Sequence, residues 1–186
     1  MEGRVIFKGK AKDGRDYVIR YPKEGDQSAM TDYINELSAE KTFVRFQGES
    51  ISLEDEEKYL HNQLENIKKH KTVELFIECE GKIYGISAID LKDKTESHEG
   101  VLGISVSRQF RGQGLGKQLM ALIVEEAKHS LPELKIISLG VFGDNDLAYK
   151  MYQRFGFKEY GRLPEGSRHK NAYVDHVYMF LKISLN

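Results

Sequence analysis

Residues 106–117 read Val-Ser-Arg-Gln-Phe-Arg-Gly-Gln-Gly-Leu-Gly-Lys, and this block limits the fold more than any other. Before it, Gly100–Ser107 reads as a strand. After it, Gly114–Ser130 carries Leu115, Leu119, Leu122, Ile123 and Ala127 on one helical stripe, and Pro132 stands past its end as a stop. A strand that turns through glycines into a long amphipathic helix folds that helix back on a sheet, which places the chain among α/β architectures. The turn also carries chemistry. The first N–H groups of a helix lack intrahelical partners and hold partial positive charge, so a diphosphate docks there well. Gly112, Gly114 and Gly116 have no Cβ, which lets backbone approach phosphate oxygens. Arg111 and Lys117 add charge beside the amides.

The remaining elements follow from periodicity. Asp16–Tyr21 reads as the first strand. Asp26 is placed to cap a helix with Met30, Tyr33, Ile34 and Leu37 on one face, and Ser52 to cap a second through Lys69, with Leu53, Leu60, Leu64 and Ile67 on one side. Lys41–Ser50 between them has no clean period and reads as a loop. Val73, Leu75, Ile77 and Cys79 alternate with polar neighbours, so Val73–Cys79 is a strand, and Glu80-Gly81 turns it into Lys82–Leu91. Lys135–Phe142 is an apolar strand. Asn145–Phe155 is a helix with Leu147, Ala148, Met151, Tyr152 and Phe155 inward. Phe157–Arg162 and Asn171–Ile183 finish the chain as strands, joined by a loop at Leu163–Lys170. The order β-α-α-β-β-β-α-β-α-β-β predicts one domain over 1–186, with a mixed, largely antiparallel sheet and helices on both faces.

Composition removes several functions. Net charge is −1 with both signs interspersed, which argues against nucleic acid as a partner. Cys79 is the single cysteine, so no disulfide forms within the chain; with no signal-like start and no apolar run of ~20 residues, a cytoplasmic protein without a membrane partner is expected. Glu54–Glu57 and Lys68–Lys71 sit at opposite ends of one helix, where they complement its dipole. The acidic run also has the charge to attract an amine.

Two nucleotide readings of the glycine turn fail. A Walker loop needs Ser or Thr after its lysine, and Gln118 follows Lys117. A dinucleotide fingerprint needs Gly-x-Gly-x-x-Gly, and here the third glycine comes one position early. A plain glycine-rich tight turn is one open reading, and the pattern that does match is Arg-x-x-Gly-x-Gly at Arg111, Gly114 and Gly116. With it, the chain resembles the GNAT superfamily of N-acetyltransferases. A second block, Asn145-Asp-Leu-Ala-Tyr-Lys-Met-Tyr152-Gln-Arg-Phe-Gly156-Phe157, is similar to that family's later motif. The resemblance is specific over Gly100–Phe157 and extends to the rest by element order.

The resemblance implies a GNAT-like fold and an acetyl-CoA-dependent transfer of acetyl to a primary amine by direct attack on the thioester. It implies that the amides of Arg111, Gly112, Gln113, Gly114, Leu115 and Gly116, with Lys117, hold the coenzyme A diphosphate. Ile104, Ser105 and Val106 would pair with pantetheine as an added strand, and a backbone N–H there would stabilise the oxyanion. Asn145 would bond the pantetheine arm, and Tyr152 would protonate the departing thiolate. Each residue also has a plainer reading: Asn145 as an N-cap, Tyr152 as core, Gly156 as a C-cap.

Glu99, at the start of the strand bearing Ile104, is the candidate base, though it lies two residues from where a carboxylate is often found in the family. A strand-end glutamate is the other reading. His169 and His176 could face the mouth of the site, and no spacing resembles a metal site, so no metal is expected. Cys79 reads as core rather than nucleophile. Arg45, Arg162 and Arg168 could hold an acceptor carboxylate, and Glu54–Glu57 a polyamine. The last strand is a candidate for pairing with a second subunit as a homodimer.

Overall fold

A computed structural model describes residues 1–183. The elements are β1 (Val5–Lys10), β2 (Asp16–Arg20), α1 (Gln27–Ala39), α2 (Leu53–Lys68), β3 (Thr72–Cys79), β4 (Lys82–Leu91), β5 (Glu99–Val106), α3 (Leu115–Ser130), β6 (Ile136–Phe142), α4 (Asp146–Arg154), β7 (Lys158–His169) and β8 (Ala172–Lys182). One sheet has the order β1-β2-β3-β4-β5-β6-β8-β7. Every pairing is antiparallel except β5 with β6. The mixed, largely antiparallel sheet is therefore as expected.

Alternation assigns the two faces. Leu75, Ile77, Ile89, Leu102, Ile137, Leu139 and Val141 point into the core beneath α3, with Leu119 and Ile123 fully buried against them. Phe76 points to the other face, where Met30, Tyr33 and Leu37 of α1 and Leu60 and Leu64 of α2 cover it. Ser52 caps α2 by accepting from the Asp55 amide at 3.1 Å. Asp26 stands at the start of α1 but makes no side-chain cap; its carboxylate takes the buried Arg20 guanidinium at 2.7 and 2.8 Å instead. Cys79 is buried in the core.

Four expectations need correction. A strand, β1, precedes the one read as first; its apolar residues Val5, Ile6 and Phe7 are consecutive and do not alternate, so no period-two signal marks it. Leu163–Lys170 is not a loop: β7 runs through it to His169, broken by a bulge between Leu163 and Ser167 that takes up Pro164, Glu165 and Gly166. Leu147, on the inward stripe by helical spacing, is 85% exposed. The last strand is not an edge, because β8 lies between β6 and β7, and the free edges belong to β1 and β7.

Candidate functional site

β5 and β6 are hydrogen-bonded only at their starts. The pairs are Glu99 with Ile136, Gly100 with Ile137, and Val101 with Ser138; past them the two strands continue to Val106 and Phe142 without pairing with each other, though each keeps its other neighbour. The sheet splits there. Carrying the register forward sets Gly103 opposite Gly140, and both glycines are exposed in the middle of the sheet. The inner edge of Gly103–Val106 is thus a free strand edge inside a cleft.

The glycine turn closes the far end of that cleft. Gly112 and Gly114 take φ of 73° and 90°, and a Cβ at either would meet nothing within 4 Å, so the turn has open space in front of it. The N–H groups of Gly112, Gln113, Gly114, Leu115 and Gly116 have no protein acceptor among the described residues, whereas Lys117 N and Gln118 N already bond Gly114 O at 3.1 and 3.2 Å. A row of free donors at a helix start is a built anion cradle. Lys117 is exposed beside it. Arg111 serves from behind: its Nε donates to Val106 O at 2.8 Å and its Nη1 pairs with Glu40 at 2.6 Å. The guanidinium therefore ties the strand end to α1, and only the Arg111 backbone lies in the turn.

The unforeseen β1–β2 hairpin braces the turn from outside. Lys12 N donates to Gln113 Oε1 at 3.0 Å, and Lys12 Nζ to Gly112 O at 3.3 Å. Arg15 lies 4.0 Å over the Phe110 ring, which is fully buried. Gln113 is held by these contacts and by Gln109 O at 3.0 Å, so its side chain is a strut.

On β5, the Ser105 hydroxyl bonds the Tyr33 hydroxyl of α1 at 2.8 Å, while Ile104 and Val106 pack toward the α3 core. Asn145 is the N-cap of α4, its Oδ1 accepting from Ala148 N at 3.2 Å, and its Nδ2 has no protein acceptor among the described residues. Tyr152 is buried near Phe157, with ring centroids 5.9 Å apart. Burial pushes its phenol up to about 12. Its hydroxyl has no protein partner among the described residues and is not a sealed atom, so it meets reachable space. It lies on the α3 side of the sheet.

The opposite face is open from β5 to β7 and rich in carboxylates and aromatic rings. Glu99 accepts from the Ser138 hydroxyl at 2.5 Å and pairs with Lys92 at 2.9 Å. Burial raises its pKa, but the Ser138 hydroxyl and the Lys92 ammonium outweigh this and leave it lowered. Asp90 pairs with the exposed Val101 in the next strand, and Glu74 with Ala88, which pairs with Gly103. Two strand spacings, ~10 Å, thus separate Glu74 from the strand that borders the split. Glu74 is fully buried, accepts from the Tyr59 hydroxyl at 3.1 Å, and leaves Oε2 without a partner among the described residues. Burial, with Asp90 adding to it, pushes its carboxyl up to about 8.

Of the proposed acceptor-binding cations, Arg162 is spent on Glu159 and Asp175, at 3.1 and 3.2 Å. Arg168 reaches Asn171 at 3.5 Å, and Arg45 is exposed. Glu54 pairs with Lys58 at 2.7 Å. Both histidines lie on the open face. His169 is buried between Phe43 and Phe142, with Nδ1 2.8 Å from Asp144. His176 leans over Gly140. Sequence reasoning missed Lys12, Glu40 and Ser138, which act through long-range contacts that leave no local pattern. Among the described residues no group of His, Cys, Asp and Glu is arranged to hold a metal ion, and no helix is long and apolar enough to cross a membrane.

Known proteins share the sequence family and the fold. The model of the acetyltransferase (GNAT) family matches residues 30–157. The L-amino acid N-acetyltransferase AaaT of Escherichia coli (strain K12) is 28% identical over 121 residues, covering 64% of this chain and 74% of that protein. A crystal structure of an acetyltransferase of the GNAT family from Streptococcus pneumoniae superposes with a TM-score of 0.82 at 26% identity, covering 90% of this chain and 99% of that one. The structure of yncA from Salmonella typhimurium, solved with its cofactor acetyl-CoA, shares the fold with a TM-score of 0.77 at 15% identity, covering 91% and 95% of the two chains.

Proposed function

Because the chain belongs to the acetyltransferase (GNAT) family, we propose that it transfers the acetyl group of acetyl-CoA to a primary amine of a small molecule, amino acid or peptide. The observation that carries this reading is the run of unpartnered amides from Gly112 to Gly116, set at the mouth of a cleft with a free strand edge. The amides hold the diphosphate, and Lys117 adds charge. The edge of Ile104, Ser105 and Val106 pairs with the pantetheine amides, and Asn145 Nδ2 donates to the same arm. The thioester then lies near Gly103 and Gly140, where the split begins.

In this reading the sheet separates donor from acceptor. Tyr152 sits on the α3 side, where its phenol protonates the leaving thiolate. The acceptor arrives on the open face, past the exposed Val101 and the carboxylates of Asp90 and Glu99, which favour a cationic amine. Glu99 is the carboxylate nearest the split, and its pairing with Lys92 and Ser138 makes it a weak proton acceptor.

Calorimetry with acetyl-CoA, followed by thiol release with leucine, spermidine and an N-terminal alanine peptide, tests the proposal. Binding and turnover of at least one amine are expected. Absence of binding at millimolar acetyl-CoA overturns it, and binding without turnover on any amine leaves a coenzyme A-binding module instead.

A further inference from the structure

His176 belongs to β8, where it pairs with Phe142 of β6, and its ring leans along the strand to lie over Gly140. A Cβ on Gly140 would stand 2.2 Å from His176 Nε2, and one on Gly166 would stand 2.9 Å from His176 Cβ. The ring thus occupies a seat that two glycines leave open. Its Nδ1 is 2.7 Å from the Ser167 hydroxyl. Its Nε2 has no protein partner among the described residues and is not a sealed atom. Gly140 lies level with Gly103 across the split, so Nε2 stands on the open face at the point where the two strands part.

On the functional reading above, we propose that His176 Nε2 accepts the proton that the acceptor nitrogen gives up as the amide forms. The proposed tautomer carries its proton on Nδ1, donated to the Ser167 hydroxyl, which is able to accept or donate, and so leaves the Nε2 lone pair free over Gly140. The ammonium first loses a proton to water, and the free amine so formed adds its lone pair to the thioester carbonyl carbon, while the carbonyl π pair moves to oxygen. The nitrogen becomes acidic, and its proton passes to Nε2. The oxygen pair then returns, the C–S bond breaks, and Tyr152 protonates the sulfur. His176 hands its proton to solvent, and Tyr152 recovers one from solvent.

The surroundings keep the ring neutral. β6 presents Gly140 and Phe142 to it, and β7 presents Leu163, Gly166 and Ser167. Tyr178 of β8 is the titratable group in ring contact, at 4.7 Å. His169 lies beyond Phe142, and Glu99 beyond Ser138, turned to Lys92. With burial the only resolved influence, the pKa of His176 is lowered from 6.5. The acid and base of the reaction therefore stand on opposite faces of one split sheet, with the thioester between them.

The test has two arms. In ¹⁵N-labelled protein the imidazole resonances of His176, identified by their loss in His176→Gln, are expected to titrate below pH 6.5 with Nε2 unprotonated at pH 7.5. A midpoint above 7, or a proton on Nε2 at pH 7.5, overturns the proposal whether or not an amine turns over. In the second arm, His176→Ala is expected to bind acetyl-CoA as the parent does and to lose about 100-fold in kcat, as loss of a general base does. Added imidazole should restore part of that loss by entering the vacated seat. His176→Gln, which keeps the volume, should lose as much without imidazole response. A loss in His176→Ala that imidazole leaves untouched, or a hundredfold loss in Glu99→Gln with His176→Ala unchanged, gives the proton to another group. Failure to bind acetyl-CoA in the parent protein overturns the transferase reading instead, and the titration arm then decides the protonation of His176 by itself.

Discussion

Glu74→Gln is expected to stabilise the protein, and by an amount that depends on pH. Glu74 has no exposed surface, and burial with Asp90 pushes its carboxyl up to about 8 from 4.5. The folded pKa lies above the unfolded one, so the stability associated with this group is fully present below pH ~4.5 and is lost as pH rises toward 8. One pKa unit corresponds to about 1.4 kcal/mol, so at pH 7 the carboxyl costs about 3 kcal/mol relative to pH 4.5. Glutamine cannot ionise and retains an oxygen to accept from the Tyr59 hydroxyl. The unpaired Oε2 position is unsatisfied in both forms, so it contributes little to the slope. Urea unfolding at pH 5, 6, 7 and 8 should therefore show a variant close to the parent at pH 5 and progressively more stable above it. A difference that stays constant across the series would refute the argument, since it would show that Glu74 reaches water or finds a cation in the folded protein.

Other outcomes follow from the site. Tyr152→Phe should bind acetyl-CoA normally and lose 100-fold or more in kcat in thiol-release assays, with little change in melting temperature, because the hydroxyl has no protein partner to lose among the described residues. Gly114→Ala forces a Cβ into φ of 90° at a cost of roughly 1–2 kcal/mol; the free variant is expected to relax its turn to escape that strain, so acetyl-CoA, which needs the turn restored, should bind about tenfold more weakly in calorimetry. Glu40→Gln should raise the KM for acetyl-CoA several-fold and leave kcat near the parent's, because it loosens Arg111 and the Arg108 amide behind the turn without touching the thioester.

The sequence made some parts of this protein legible for definite reasons. The glycine turn was readable because a helix start, its free amides and its Cβ-less residues are neighbours in the chain. The α3 stripe and the β3–β4 hairpin were readable because burial there follows a single period. β1 was not, since Val5, Ile6 and Phe7 are consecutive and the strand ends in Lys8 and Lys10. Leu163–Lys170 reads as a loop because Pro164, Glu165 at φ 55° and Gly166 are turn chemistry, which the bulge uses inside a strand. The part played by the Arg111 side chain depends on Glu40, 71 positions earlier, and the place of His176 depends on its register against β6. Neither relation has a local signature.

The split between β5 and β6 has a consequence for how the protein lives among others. A free strand edge on an outer surface invites another polypeptide to pair with it, and proteins blunt such edges with charge, bulges or cover. Here the edge faces inward across a gap that closes within three residue pairs, from Glu99 to Val101. A second polypeptide strand would need a continuous flank and room for side chains on both faces, and the converging wedge of Gly103 and Gly140 gives it neither. A thin, unbranched arm that carries amide groups but no side chains meets no such limit. The same narrowing that suits the pantetheine-like chain of the proposed function therefore also shields the only interior edge of the sheet, among the described residues, from recruitment into aggregates.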